Sequence, residues 1–136
     1  MTDTTPTESN LSGLDRKDFQ KNINSRKTDL YILKNAQGME VAVTNYGCAI
    51  LSIMVPDKNG KFANVILGHD SIEHVINSPE PFLSTTIGRY GNRIANGKFT
   101  LYGEEHQLTV NNGPNSLHGG PTGFHARVWD AVQPNE

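Results

Sequence analysis

Apolar residues along this chain fall in short runs separated by clusters of Asn, Gly, Pro and Asp, and several runs alternate with polar positions as half-buried strands do. Residues 1–10 are rich in Thr, Ser and Glu and read as a disordered tail. Residues 11–27 are polar, with only a weak spacing of Leu14, Phe19 and Ile23, and read as loop with a helical turn. From Thr28 the pattern changes. Leu30-Tyr31-Ile32-Leu33 and Met39 to Thr44 flank Asn35-Ala36-Gln37-Gly38 and predict a hairpin with a four-residue loop. Cys48 to Val55 predicts a buried strand. Pro56-Asp57-Lys58-Asn59-Gly60 predicts a turn, and Ala63 to Leu67 the returning strand. Asp70 to Ile76 predicts a short helix with Asp70 as N-cap and Glu73 three residues on. Lys98 to Tyr102 and Glu105 to Val110 flank Gly103-Glu104, which suits a type II′ hairpin. Ala126 to Val132 predicts a last strand. The sum is about seven short strands with almost no helix, which argues an all-β, antiparallel β-sandwich. The chain divides into a disordered or loosely ordered segment, 1–27, and a β-rich part, 28–136.

Composition changes this picture little. The 136 residues are 35% hydrophobic and carry a net charge of −2, about one domain's worth of ordinary globular sequence. No dense Lys/Arg cluster suggests a nucleic-acid or anionic-membrane partner. No basic and apolar leader stands at the start, and no window reaches the ~18 apolar residues that span a membrane, so a cytoplasmic protein is expected. Cys48 is the single cysteine; its apolar neighbours argue a buried structural thiol. His69, His74, His106 and His125 lack partners at ligand spacing, so no metal is assigned, and no phosphate-loop spacing suggests a nucleotide. No cofactor is expected.

Candidate chemistry concentrates between Thr86 and Trp129. His118 follows Asn115-Ser116-Leu117 and precedes Gly119-Gly120, which remove bulk beside its imidazole. Such a histidine can donate or accept near neutral pH, or simply be a solvated turn residue. Arg93, with its neighbour Asn92, sits in a turn-prone segment; its planar fork suits adjacent hydroxyls, or a surface salt bridge. Asn115 can orient His118, touch a ligand, or form a turn after Pro114. Arg89 is expected to support the loop. Tyr90, Phe124 and Trp129 can stack on a sugar, with core packing the stronger expectation for the last two.

These segments are Thr86-Ile87-Gly88-Arg89-Tyr90-Gly91-Asn92-Arg93-Ile94-Ala95-Asn96-Gly97, Asn115-Ser116-Leu117-His118-Gly119-Gly120, and Gly123-Phe124 with Trp129. Together they resemble, over nearly the whole chain, the amino-terminal part of the aldose 1-epimerases, the galactose mutarotases. The 25 positions from Arg93 to His118 also fit that family. The resemblance implies a large antiparallel β-sandwich, of which this chain supplies the first part. It implies interconversion of the α and β anomers of free aldohexoses, without a cofactor. It places Asn92 and Arg93 on a small-molecule aldose, and His118 near the ring oxygen. The family's glutamate base, second histidine and substrate-binding aspartate lie in the later half of its fold, and no residue here matches them. A truncated sandwich is therefore expected, with exposed strand edges prone to self-association. Two departures stand out: His69 where an aromatic often follows Gly68, and Ser84 where a glycine is common. Two alternatives stay open. One is a catalytically inactive carbohydrate-binding fragment. The other is a hexose-6-phosphate 1-epimerase-like protein, which calls for basic residues beyond Arg89 and Arg93.

Overall fold

The computed structural model describes residues 10–134. Its first elements are a 3-10 turn, Arg16–Phe19, and the two-residue strands β1 (Asn22–Ile23) and β2 (Arg26–Lys27). Asp15 caps the turn by accepting the Lys17 N–H at 3.0 Å. The helical turn expected within residues 11–27 is present, and Phe19 at its end is fully buried and anchors it. The tail expected over residues 1–10 lies outside the described residues except for Asn10.

A four-stranded antiparallel meander follows: β3 (Leu30–Lys34), β4 (Glu40–Thr44), β5 (Ala49–Pro56) and β6 (Phe62–Asn64), paired in that order. The predicted hairpin is β3–β4, with Leu30 opposite Thr44. Between β4 and β5 the register shifts: Ala42 faces Ser52, but Val43 faces Ile50. Leu51 is the extra residue of this bulge, so Leu51 and Ser52 are both buried, which alternation alone forbids. Strand β6 stops at Asn64 rather than running to Leu67. The Asn64 side chain accepts the Ile53 and Ile66 N–H groups and takes the ladder's place.

The sheet packs one face against the amino-terminal turn and a short helix, α1 (Ile72–Ile76). Phe19, Leu30, Ala42, Ala49, Leu51, Ile72 and Val75 form the core. The N-cap of α1 is Ser71, whose hydroxyl accepts the His74 N–H, and not Asp70 as predicted. Asp70 instead pairs with His74 Nδ1. On β4 the buried positions are Glu40, Ala42 and Thr44. Glu40 is accommodated because its two carboxylate oxygens accept the Leu11 and Ser12 N–H groups at 2.9 and 3.0 Å, with Lys34 Nζ at 3.6 Å.

Beyond α1 the chain runs through irregular loops and four short strands: β7 (Arg93–Ile94), β8 (Lys98–Leu101), β9 (Glu104–Gln107) and β10 (Ser116–Leu117). β7 pairs with β10, and β8 with β9. The β8–β9 loop is Tyr102-Gly103, both with positive φ, so it has the type I′ pattern and sits one residue earlier than predicted. The predicted strand 126–132 is a correction. It is a 3-10 turn, Phe124–Ala126, then an extended segment joined by one bridge, Val128 to Tyr46. Its neighbour cannot continue a ladder, because Gly47 and Cys48 both turn left-handed. Ser84 also has positive φ, at 54°, consistent with a position where glycine is the less strained choice. Every strand pairing is antiparallel, and the all-β class expected is the one observed.

Replacing Phe19 by Ala should cost about 3–5 kcal/mol in a urea melt, the usual loss for a fully buried phenylalanine. A cost below about 1 kcal/mol would show that residues 10–20 are not docked on the sheet.

Candidate functional site

Two loops cross above the paired strands β7 and β10. One holds Gly88 to Arg93, the other Ser116 to Phe124. They approach so closely that a Cβ on Gly119 would run into the carbonyl of Gly88, and one on Gly88 into the Phe124 ring. The Phe124 N–H donates to Gly88 O at 3.2 Å and fixes the crossing. His118, Gly119 and Gly120 all have positive φ, which turns the chain sharply at the crossing point.

His118 is held at its backbone and its ring. Its N–H donates to Asn92 O at 2.9 Å, and the Asn92 N–H donates to His118 Nδ1 at 3.0 Å. Because Nδ1 accepts, the neutral imidazole carries its proton on Nε2. Nε2 makes no hydrogen bond to a described residue. Asn92 reaches this geometry with φ of 59°, a conformation asparagine tolerates better than most residues. Its side-chain oxygen accepts from Arg93 Nη1 at 3.1 Å, and Asn112 Oδ1 accepts from Arg93 Nε at 2.8 Å. Arg93 is therefore aimed by two neutral amides, not by a carboxylate.

The structure thus brings Asn92, Arg93 and His118 together, and joins Asn115 to them through Asn112, with which it exchanges backbone hydrogen bonds at 3.0 and 3.1 Å. Asn115 lies in the turn before β10, where its Oδ1 accepts the Asn96 N–H at 3.3 Å. Its side-chain contact is with the 95–97 turn rather than with the His118 ring. Asn112 and Phe82 escaped sequence reasoning. Asn112 sits among five turn-forming residues, and nothing in that run ties it to an arginine 19 positions earlier. Phe82 follows two prolines in a polar stretch, yet its ring lies 4.8 Å from that of His118 and 4.5 Å from that of His125. An aromatic isolated in such a segment was the available signal.

His125 is buried, and its Nδ1 has no hydrogen-bond partner. Burial, and secondarily the His118 ring nearby, hold its pKa below the usual histidine value. Cys48 is half-buried, and burial raises its thiol pKa. No group of three or more His, Cys, Asp or Glu among the described residues is placed to hold a metal. No helix among them is long and apolar enough to cross a membrane.

Beside the crossing lies a cavity of about 660 Å³, lined by Asn92, Arg93, Arg89, Tyr90 and Phe124 among others; His118 and Asn115 are not in its lining. That size suits a small molecule. Arg89 packs over the Phe124 ring, 5.5 Å from its centre. Trp129 sits edge-on to Phe124 at 5.0 Å and donates Nε1–H to the Phe124 carbonyl, so it supports the aromatic wall and does not line the cavity. No Asp or Glu lines it.

The Gly119→Ala variant should lose more than the roughly 1–2 kcal/mol that a left-handed φ alone costs, and should move the amide resonances of Asn92 and His118. Unmoved resonances would show that the crossing tolerates a methyl group. His125 gives a pH dependence of defined sign. Its pKa is lower folded than unfolded, so the unfolded chain binds the proton more tightly. Stability should be full above pH 6.5 and fall below it as His125 is forced to charge. Urea melts at pH 7.5 and 5.5 should show this loss, and His125→Phe should reduce it.

Comparisons with known proteins identify the family. Residues 29–136 match the family model described as aldose 1-epimerase. The chain is 43% identical to a galactose mutarotase of Bos taurus over 91 residues, covering 67% of this chain and 26% of that protein. It is 40% identical to an aldose 1-epimerase of Escherichia coli over 107 residues, 79% of this chain and 31% of that one. Among solved structures it superposes on an aldose epimerase homologue from C. elegans with a TM-score of 0.73 at 33% identity, covering 79% of this chain and 33% of that one. A galactose 1-epimerase from Lactobacillus acidophilus gives 0.68 at 33% identity, with 81% and 31% covered. The chain therefore spans about a quarter to a third of the length of these relatives, and it belongs to the aldose 1-epimerase family.

Proposed function

We propose that this chain carries the aldose-holding part of an aldose 1-epimerase site, with His118, Asn92 and Arg93 facing the sugar. The observation that carries this is the reciprocal pair of hydrogen bonds between Asn92 and His118, which leaves Nε2–H as a donor with no partner among the described residues. Arg93 retains N–H groups beyond the two it gives to Asn92 and Asn112. A planar fork of this kind spans neighbouring sugar hydroxyls. Asn115 acts behind them by holding the 95–97 turn. Tyr90 and Phe124 supply an apolar wall for the C–H face of a pyranose.

Anomer exchange needs a base to remove the proton from the anomeric hydroxyl and an acid to protonate the ring oxygen. The ring opens, the aldehyde rotates, and the same transfers in reverse close it. In this arrangement His118 Nε2–H hydrogen-bonds the ring oxygen and favours charge developing there. Holding the sugar in one orientation also lowers the entropic cost of each transfer. No carboxylate lines the cavity, so the base is not among its described residues. That absence favours a second reading for the chain by itself, carbohydrate binding without turnover.

Galactose added to the 15N-labelled chain should shift the Asn92, Arg93 and His118 resonances, and Arg93→Ala should weaken binding about tenfold or more, the loss of one charged hydrogen-bonding group. Polarimetry of freshly dissolved α-D-galactose should show no acceleration by the chain alone. Acceleration that disappears in an Arg93→Ala, His118→Ala double variant would place acid and base on this chain. Absence of any galactose-induced shift in folded protein would end the aldose assignment.

A further inference from the structure

The His118 ring is held from two sides, and only one of them is the loop crossing. The Asn92 N–H fixes its Nδ1 at 3.0 Å. One hydrogen bond at one ring atom leaves the plane of the imidazole free to tilt about that contact. The second hold is the Phe82 ring, whose centre lies 4.8 Å from that of His118 at an interplanar angle of 63°. Aromatic rings attract in such edge-to-face arrangements, because the positive ring edge of one meets the negative face of the other.

Phe82 reaches this place by a route independent of the crossing. It lies in a turn closed by the Leu83 N–H, which donates to Glu80 O at 3.0 Å. That turn is hooked onto the sheet and its flanks. The Ile50 N–H donates to Ser84 O at 2.9 Å, the Thr86 N–H to Gly47 O at 2.8 Å, and the Ser84 hydroxyl to Leu67 O at 2.6 Å. On its other side Phe82 meets the His125 ring at 4.5 Å. The His125 segment is fixed to the same region of the sheet. The Gly47 N–H donates to Arg127 O at 2.7 Å, and a Cβ on Gly47 would run into the His125 carbonyl. His125 Nδ1 is buried without a hydrogen-bond partner among the described residues. Packing therefore holds this ring at that atom, and the ring serves as a wall behind Phe82.

We propose that Phe82 is a positioning residue for His118: its ring, backed by the His125 ring, sets the plane of the His118 imidazole and with it the direction of Nε2–H. The proposal rests on the aldose reading above, in which that N–H meets the sugar, and adds the residue that aims it. Asn92 selects which nitrogen carries the proton, and Phe82 selects where that proton points. Without the Phe82 ring the imidazole can tilt away from the Asn92 N–H, and the tautomer with its proton on Nδ1 becomes populated.

The test reads the two ring nitrogens of His118 by long-range 1H–15N correlation in the 15N-labelled 136-residue chain. The wild type should show one nitrogen protonated and one bare, with cross-peaks from the Phe82 ring to both imidazoles. In Phe82→Leu the two nitrogen shifts should move toward each other, and galactose should bind roughly three- to tenfold more weakly, the worth of one well-aimed neutral hydrogen bond. Phe82→Tyr, which keeps the ring, should restore the wild-type shifts. A merely structural loss would lower stability without mixing the tautomers. Unchanged His118 nitrogen shifts in Phe82→Leu with wild-type amide dispersion overturn the proposal. If that variant does not fold, the wild type decides: averaged His118 nitrogens or missing Phe82–His118 cross-peaks overturn it, and distinct nitrogens with those cross-peaks support it. Mixed tautomers in Phe82→Leu, in a chain whose wild type does not bind galactose, keep the positioning role and remove the aldose.

Discussion

The close crossing of two backbones at Gly88 and Gly119 is the constraint on which the site depends. Neither position has room for a Cβ, since each faces a carbonyl or a ring of the opposite loop. Only at this separation can Asn92 and His118 exchange hydrogen bonds, and only then is the imidazole tautomer set by the backbone. Arg93 inherits its aim from the same contact, because Asn92 offers its main chain to His118 and its side chain to Arg93. The two glycines permit the approach that orders Asn92, Arg93 and His118.

The crossing is carried by a platform held together by polar pins as well as by apolar packing. The core is small, and its sheet face includes a buried glutamate and a buried threonine. Glu40 is tolerated because the amino-terminal segment supplies two N–H groups to it, so charge burial and segment docking stabilise each other. Asn45 does comparable work at the other end. Its side chain accepts the Asp29 N–H and donates to the carbonyls of Lys27 and Trp129, joining the start of the sheet to the end of the described chain. That link positions Trp129, which braces Phe124, which forms the wall beside Arg89.

Around this wall the electrostatics are one-sided. Among the described residues the cavity gathers arginines without gathering acids, and several acidic residues pair with cations elsewhere: Glu73 with Lys21, Glu105 with Lys98, Asp130 with Arg26. Such a cavity does not by itself supply a base.

Much of the fold was legible in the residues alone. Runs of apolar and β-branched residues between turn signals identify the antiparallel strands, and the Asn-Ser-Leu-His-Gly-Gly and Gly-Asn-Arg segments mark the candidate site, because local backbone preference and side-chain chemistry are both written in the order of residues. What the order did not contain is every feature decided by a distant partner. The bulge at Leu51, the stop at Asn64 and the loss of the strand after Ala126 each depend on where another segment's hydrogen bonds are spent. The same is true of Phe82 between two imidazoles, Asn112 on Arg93, and Arg127 at the cavity. Residue types and spacing determine which groups are available and which turns are cheap. Only the tertiary structure decides which groups meet, because contacts between residues far apart in sequence are set by packing and leave no periodic trace in the chain.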